Sequence, residues 1–242
     1  MQIEGKNPVL EALKSGRPLN KILISKEIER HSSVAKILHL ATKERVPVEW
    51  VDPNVIKAKS ATGSPQGVIA FASAKGYVDI HDLIDITRSK NEPAFYVMLD
   101  GLEDPHNLGA IIRTADAAGV HGMIIPERRA AGLTETVAKV SAGAIEYMPV
   151  ARVANLNNAI RLLKEENIWV IGIDQNGKRS YTDIDLKLPT ALVIGGEGKG
   201  LSRLVKENCD EIVSIPMKGR ISSLNASVAA GVIMYEVIRQ RG

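Results

Sequence analysis

The residues of greatest chemical interest lie where a strand-like run meets a helix-like run, in the stretch LDGLEDPHNLGAIIR at 99–113. Asn107 offers an amide in the polar turn, and Arg113 follows about one and a half turns into the helix. A guanidinium keeps its proton above about pH 12 and donates hydrogen bonds, so Arg113 is better suited to stabilising a negative oxygen than to removing a proton. Taken alone, Arg113 is more typical of a solvated arginine beside Asp116, and Asn107 of a helix cap. His106 has a better-placed pKa for a base, but we interpret it as a turn residue.

A second stretch of interest, ALVIGGEGKGLS at 191–202, is a strand that ends in a glycine-rich turn. It is not a P-loop, because Leu201 follows Gly200 where a P-loop requires Lys, and a dinucleotide fingerprint would need glycine at the same position. A GxGxG turn also occurs in Rossmann-type methyltransferases, but the next strand ends at 215–217 without the acid that holds a ribose. The turn therefore indicates a cofactor site of another fold. A purely structural turn is the alternative, and Glu197 between the glycines argues against it.

The third stretch is SSLNASVAAGVIMYEVIRQR at 222–241. It predicts a helix from about Ser223 to Arg239, with Ser222 and Ser223 as caps. Apolar residues occupy most of its circumference, so we expect it to pack both against its own sheet and against a second subunit. Asn225 is then a polar residue in the first turn of a buried helix and needs hydrogen-bond partners, unless it is a structural cap.

The elements that must position these residues follow from the alternation of patterns along the chain. From Phe95 onward, short apolar strands alternate with helical stretches, which predicts an α/β domain with a largely parallel sheet covered on both faces. Ligands bind such sheets where the carboxyl ends of strands meet loops, and the polar residues cluster there. The preceding residues read as a smaller α/β module. The predicted domains are 1–75, a linker or short connecting helix at 76–92, and 93–242.

Composition restricts the class of protein. The chain is 45% hydrophobic and 24% charged, and it has neither an apolar run long enough for a membrane helix nor a secretory signal. Cys209 is the single cysteine, which excludes an intramolecular disulfide and a cysteine metal cluster and suits the cytoplasm. The net charge is +3, whereas residues 1–75 alone carry an excess of five positive charges. This favours a basic arm for a polyanion, with ordinary surface lysines as the alternative.

Taken together, segments 99–119, 192–202 and 214–241 resemble the three motifs of the SpoU, or TrmH, family of RNA ribose 2′-O-methyltransferases, in that family's order. The first module, with GKNPVLEAL and SPQGVIA, is similar to the RNA-binding, ribosomal-protein-L30-like domain of the RlmB branch, which methylates a guanosine of 23S ribosomal RNA. The resemblance implies the SPOUT α/β-knot fold with a deep trefoil knot, which rules for ordinary sheets would not predict. It also implies a homodimer through the C-terminal domain.

The resemblance further implies that S-adenosylmethionine binds in a bent form, without a metal, among three loops. The cofactor-binding residues carried over from it are Ile194, Gly195, Ile215, Met217 and Leu224. The catalytic set is Arg113 supported by Asn107, Glu197, Ser223 and Asn225. Arg113 either loses a proton transiently with help from an RNA phosphate or stays charged and stabilises the developing alkoxide. We prefer the second hypothesis, because it requires less of an arginine.

Three other readings compete with a ribosomal RNA methyltransferase. A tRNA ribose methyltransferase of the same family shares the motifs, and only the first module favours the ribosomal branch. A non-catalytic RNA-binding scaffold would not need the intact polar set. A nucleotide-dependent dehydrogenase is disfavoured by the misplaced glycines. We therefore expect an RNA-binding, cytoplasmic homodimer that does not associate with membranes.

Overall fold

The computed structural model describes residues 2–28, 32–61, 65–196, 198 and 200–242. Contacts divide the chain into two compact units. The first unit is formed by the residues up to Gly76 together with Gly132–Glu135, and the second by Tyr77–Ala131 and Thr136–Gly242.

The first unit is a four-stranded mixed sheet with helices on both faces. Its elements are β1 (Gln2–Glu4), α1 (Lys6–Lys14), β2 (Leu19–Ser25), α2 (Ser32–Lys43), β3 (Val48–Val51), α3 (Pro53–Lys59) and β4 (Val68–Ala72). The strand order is β1-β4-β2-β3, with β2 parallel to β3 and β4 antiparallel to both β1 and β2. Alternation along β2 sends Ile22 and Ile24 into the core with α1 and α2, whereas Leu23 packs with Ile56 of α3. The sequence prediction missed β1, which is only three residues long.

The second unit is a seven-stranded sheet in which every pair of neighbouring strands is parallel. Its elements are α4 (Ile80–Arg88), β5 (Phe95–Asp100), α5 (Pro105–Ala117), β6 (Gly122–Pro126), α6 (Glu135–Val140), β7 (Val150–Val153), α7 (Leu156–Glu165), β8 (Trp169–Ile173), β9 (Arg179–Ser180), β10 (Thr190–Gly195), α8 (Arg203–Asn208), β11 (Glu211–Ser214) and α9 (Ala226–Arg241). The strand order is β7-β6-β5-β10-β8-β11-β9. The predicted α/β class with a parallel sheet is confirmed, and the knot itself stays a prediction.

The central strands are almost continuously apolar because helices cover both faces of the sheet. All residues of β5 and β10 are buried except the last of each, Asp100 and Gly195, which lie at the carboxyl edge. The turn after β5 becomes a helix through Asp104, whose Oδ1 accepts the backbone N–H of His106 at 3.0 Å, and through Pro105 in the first turn. Within the described residues, no helix is long and apolar enough to cross a membrane.

Helix α9 differs from its prediction at its start. It begins at Ala226, and its N-cap is Asn225, the alternative left open, rather than Ser222 or Ser223. The apolar residues Val228 and Tyr235 are 51% and 53% exposed in the single chain, so packing against a second subunit stays a prediction. One face packs on the core through Ala230, Ile233 and other small or apolar residues, and the opposite face remains open within one chain.

Candidate active site and cofactor cleft

The polar residues singled out in the sequence meet at the carboxyl edge of the second unit's sheet. The turn after β5 leads into α5, the glycine-rich turn follows β10, and the segment after β11 leads into α9. Because β5, β10 and β8 are adjacent and parallel, their carboxyl ends and the loops that follow them lie side by side.

A direct hydrogen bond joins the first predicted motif to the third. Asn225 Nδ2 donates to Asn107 Oδ1 at 3.0 Å. Asn225 Oδ1 accepts the backbone N–H groups of Ser227 at 2.9 Å and Val228 at 3.4 Å, so the same side chain also caps α9. Asn107 is 6% exposed and is not the cap of its own helix, because Asp104 has that role. These two residues, hereafter the asparagine pair, hold the starts of α5 and α9 together.

A cleft of about 420 Å³ opens beside the asparagine pair. The loops after β8, β10 and β11 line this cleft, together with the start of α9. Seven of the predicted site residues lie in its wall: Ile194, Gly195, Ile215, Met217, Ser223, Leu224 and Asn225. Met217 and Leu224 are each 38% exposed, so the cleft offers open apolar surface next to backbone groups. We call this space the glycine-loop cleft.

The loop after β10 passes its neighbours at distances that only glycine allows. A β-carbon on Gly195 would lie 2.3 Å from the carbonyl carbon of Gly200, and one on Gly196 would lie 2.1 Å from the carbonyl oxygen of Gly101. The Gly196 N–H donates to the Asp100 carbonyl at 2.8 Å, and the Gly200 N–H donates to the Gly196 carbonyl at 3.1 Å. The glycines therefore bring backbone groups, without side chains, to the surface of the cleft.

Two carboxylates that sequence reasoning did not select hold this loop. Asp100 Oδ2 accepts the backbone N–H of Ser202 at 2.7 Å. Asp174, directly after β8, lies in the wall of the glycine-loop cleft and pairs with Lys206 at 2.7 Å. Both residues stand at the carboxyl end of a strand that flanks β10, and that position is the signal by which the sequence could have identified them.

Electrostatics keep Asp174 ionised. Burial by itself raises the pKa of Asp174, but the Lys206 ammonium and the backbone N–H groups of Asn176 and Leu201 outweigh burial. The pKa consequently lies below its ordinary value. A carboxylate near the floor of the cleft is thus a permanent hydrogen-bond acceptor at neutral pH.

Arg113 stands apart from the asparagine pair. It is exposed on α5, lines neither this cleft nor the one described next, and no hydrogen bond or ion pair joins it to another of the described residues. Its neighbour Thr114 faces α9, where a β-carbon on Gly231 would lie 3.7 Å from the Thr114 methyl group. Arg113 is thus next in sequence to a residue that packs beside α9. Glu197, the remaining predicted catalytic residue, lies outside the described residues.

A second cleft, of about 520 Å³, lies on the other side of the asparagine pair. Asn107, Gly196 and Gly200 line it, and the exposed Arg128 and Arg129 after β6 form part of its rim. We call it the arginine cleft. Since Gly196 and Gly200 line both clefts, the glycine loop is the wall between them.

No group of three or more His, Cys, Asp or Glu side chains that could hold a metal ion occurs in the part of the chain that the structure describes. Cys209 is partly buried, and burial raises the pKa of its thiol to about 12, so it is not a thiolate at neutral pH.

Two parts of the chain match known families. Residues 94–235 match the SpoU rRNA Methylase family, and residues 2–78 match the family described as RNA 2′-O ribose methyltransferase substrate binding. The sequence resemblance to SpoU and TrmH proteins is thereby confirmed.

Individual relatives cover nearly the whole chain. A Bacillus subtilis protein named as a TrmH family tRNA/rRNA methyltransferase, YacO, is 49% identical over 98% of this chain and 94% of its own length. The SpoU methyltransferase AviRb of Streptomyces viridochromogenes, crystallised with the cofactor AdoMet, is similar at a TM-score of 0.63, with 30% identity over 100% of this chain and 90% of that one. An AdoMet-bound rRNA methyltransferase from Sinorhizobium meliloti gives a TM-score of 0.61 and 28% identity over 98% of this chain and 86% of that one.

Proposed function

The chain belongs to the SpoU rRNA methylase family, and from that premise we propose that it transfers a methyl group from S-adenosylmethionine to the ribose 2′-hydroxyl of a guanosine in 23S ribosomal RNA. One observation carries the proposal. The glycine-loop cleft, a site for a small cofactor, lies against an asparagine pair that joins it to the arginine cleft, where a nucleotide has room to enter.

The glycine-loop cleft fits the proposed cofactor. Its volume of about 420 Å³ lies within the range of roughly 300–1,000 Å³ typical of small-molecule sites. Ile194, Ile215 and Leu224 offer an apolar lining suited to an adenine ring, while Gly195 exposes backbone without a side chain beside it. When bound, S-adenosylmethionine supplies an electrophilic methyl group on a sulfonium.

The chain's own residues would orient and stabilise the ribose oxygen. The asparagine pair fixes the amide of Asn107 in the wall of the arginine cleft, where it can position a hydroxyl. Arg113 keeps its charge and stabilises the alkoxide that develops as the 2′-hydroxyl loses its proton to water. Ser223 and Glu197 support Arg113 in this role. Arg113 acts as an electrostatic group in this account and not as a base.

A homodimer completes the proposal. The open face of α9 presents Val228 and Tyr235, both more than half exposed, and exposed apolar residues on one helix face are typical of a subunit interface. Thr114, the residue after Arg113, lies beside α9 at Gly231. In the proposed dimer, a second copy seated on α9 would lie close to Arg113. We place the enzyme in the cytoplasm, in keeping with a single cysteine that is not in thiolate form.

Ribosomal RNA is the proposed substrate because of the first unit. This unit matches a substrate-binding family, and the rRNA methyltransferase from Sinorhizobium meliloti is similar over both units of the chain. The excess of five positive charges in residues 1–75 suits a phosphate backbone.

The decisive experiment incubates the purified protein with tritiated S-adenosylmethionine and either unmodified 23S RNA or bulk tRNA, followed by mapping of the ribose-methylated nucleotide. We expect label on a guanosine of 23S RNA only. Label in tRNA alone would overturn the substrate assignment, and binding of RNA without any transfer would favour the non-catalytic scaffold.

A further inference from the structure

The described residues of the glycine loop up to Gly200 have no side chains that could help to hold its shape. Gly195, Gly196, Gly198 and Gly200 carry no side chains, and Gly198 and Gly200 adopt positive φ angles of 77° and 60°. Glycine loses more conformational freedom on ordering than any other residue, so a loop of this composition needs anchors from outside itself.

Two anchors come from the strands on either side of β10. Asp100 ends β5 and accepts the N–H of Ser202 at 2.7 Å. Asp174 follows β8, and the backbone N–H of Leu201, the residue immediately before Ser202, helps to lower the pKa of its carboxyl group. Two carboxylates from the strands on opposite sides of β10 thus lie beside the end of the loop, where the chain enters α8.

The two anchors differ in their surroundings. The Asp174 side chain is 4% exposed, pairs with Lys206 at 2.7 Å and also accepts the N–H of Asn176 at 3.0 Å. A β-carbon on Gly200 would lie 2.9 Å from its Oδ2, so the loop backbone passes directly over the carboxylate. The Asp100 side chain is only partly buried, at the edge of the arginine cleft. Each cleft therefore has one of the anchors in its wall.

We propose that Asp100 and Asp174 are positioning residues that together fix the glycine loop in the form that binds the cofactor. They touch the loop's backbone and act through it, so neither is assigned to the chemistry of transfer. The proposal rests on the proposed function in one respect only, namely that S-adenosylmethionine is the ligand of the glycine-loop cleft. Hydrogen bonds from amides to carboxylates are stronger than those to neutral acceptors, which suits an anchor for a flexible loop.

The chain offers a matched control in Asp210. Its Oδ2 accepts the N–H of Val170 at 2.9 Å and its Oδ1 pairs with Lys164 at 2.7 Å, the same kinds of contact as those of Asp174. It lies at the amino end of β8, however, and does not line the glycine-loop cleft. Asp210→Ala therefore removes equivalent interactions at a place where the loop is not affected.

The test measures S-adenosylmethionine affinity by calorimetry, and amide hydrogen exchange in residues 195–204 without ligand, in the full-length chain. We expect Asp100→Ala and Asp174→Ala each to raise the Kd about tenfold, as loss of one charged hydrogen bond would. Exchange at Leu201 and Ser202 should accelerate in both variants. Asp100→Asn keeps an oxygen acceptor and should bind S-adenosylmethionine almost as the wild type does. Asp210→Ala should change neither the Kd nor amide exchange in residues 195–204, although this variant should unfold more easily.

A double-variant cycle tests whether the anchors act on one element. Because both hold the same loop, the combined Asp100→Ala/Asp174→Ala variant should raise the Kd by much less than the product of the single effects. The proposal fails if the single variants bind the cofactor like the wild type, or if Asp210→Ala weakens binding equally. If the wild type binds no S-adenosylmethionine, the proposed cofactor is wrong, whereas the exchange measurement still reports on the anchors.

Discussion

Around the glycine loop the polar groups find partners within the chain, whereas Arg113 on α5 has none among the described residues. The loop's backbone is held by Asp100 and Asp174 and by contacts that exclude any side chain. The Arg113 side chain is exposed, and no hydrogen bond or ion pair links it to a described residue. The difference indicates that a single chain already forms the proposed cofactor site, whereas the group proposed for catalysis depends on RNA or a second subunit for its partners.

The largest expected effect separates these two regions. Arg113→Ala should reduce methyl transfer by about 10²–10³-fold, the range for loss of one preorganised donor to a developing oxyanion. S-adenosylmethionine affinity and thermal unfolding should not change, because the side chain makes no contact with the glycine-loop cleft. Initial rates with tritiated cofactor and calorimetry measure the two quantities.

The control for that variant is Arg161→Ala. Arg161 on α7 is likewise exposed and has no ion pair with a described residue. Near-normal turnover of Arg113→Ala would remove this arginine from the mechanism. The difference between Arg113 and the glycine loop would then have no bearing on catalysis.

Gly196→Ala tests whether the glycine loop is held by its close approach to the turn after β5. The added methyl group would overlap the Gly101 carbonyl at 2.1 Å, so the loop or the turn after β5 must move. We expect a loss of about 2–3 kcal/mol in the free energy of unfolding and at least about a tenfold loss of cofactor affinity. Gly219→Ala is the control, since nothing lies within 4 Å of its added carbon. Equal behaviour of the two variants in denaturant titration would contradict the close approach.

Asn225 belongs to both regions, and two substitutions separate its roles. Asn225→Ser retains an oxygen to cap α9 but removes the amide that reaches Asn107, whereas Asn225→Ala removes both. The Ala variant should be less stable than the Ser variant by about 1 kcal/mol. Both should lose turnover to a similar extent. Wild-type turnover in Asn225→Ser would show that the asparagine pair has no part in catalysis.

The smallest expected effect lies outside both regions, at His121. Burial lowers the pKa of His121, against the opposing hydrogen bond to Glu92, and its Nδ1 accepts the Phe95 N–H at 3.1 Å. In the unfolded chain His121 takes up a proton at about pH 6.5, whereas in the folded chain it does so only at lower pH. The contribution of His121 to the free energy of unfolding is therefore fully present above about pH 6.5 and is lost as the pH falls toward the folded pKa.

His121→Asn keeps an acceptor for Phe95 but does not titrate, so unfolding measured between pH 7.5 and 5.5 should depend less on pH. Cofactor affinity should follow the wild type at each pH, because His121 precedes β6 at the amino edge of the sheet, opposite the clefts. An unchanged pH dependence of unfolding would contradict the assignment.

Local patterns were sufficient to predict the parallel sheet and to find the three motifs, because buried strands and glycine turns leave clear signals in sequence. The cap of α9 was predicted wrongly, since Ser222, Ser223 and Asn225 are all good caps and only tertiary contact with Asn107 favours the last. Asp174 was missed for a related reason. Its ion-pair partner, Lys206, lies 32 residues further along the chain, and no local pattern connects the two residues.

The place of β10 in the sheet has a consequence for how the chain folds. Its neighbours, β5 and β8, both precede it in the chain, and they do not pair with each other. Until Thr190–Gly195 is available, β5, β6 and β7 can pair among themselves, but β8 has no neighbour, because both of its partners, β10 and β11, come later in the chain. Closure of the sheet must therefore wait for nearly the whole chain, and such long-range pairing is intrinsically slow. The strand that carries the glycine loop thus also joins the two parts of the sheet. The proposed cofactor cleft can therefore form only when β10 pairs with both of its neighbours.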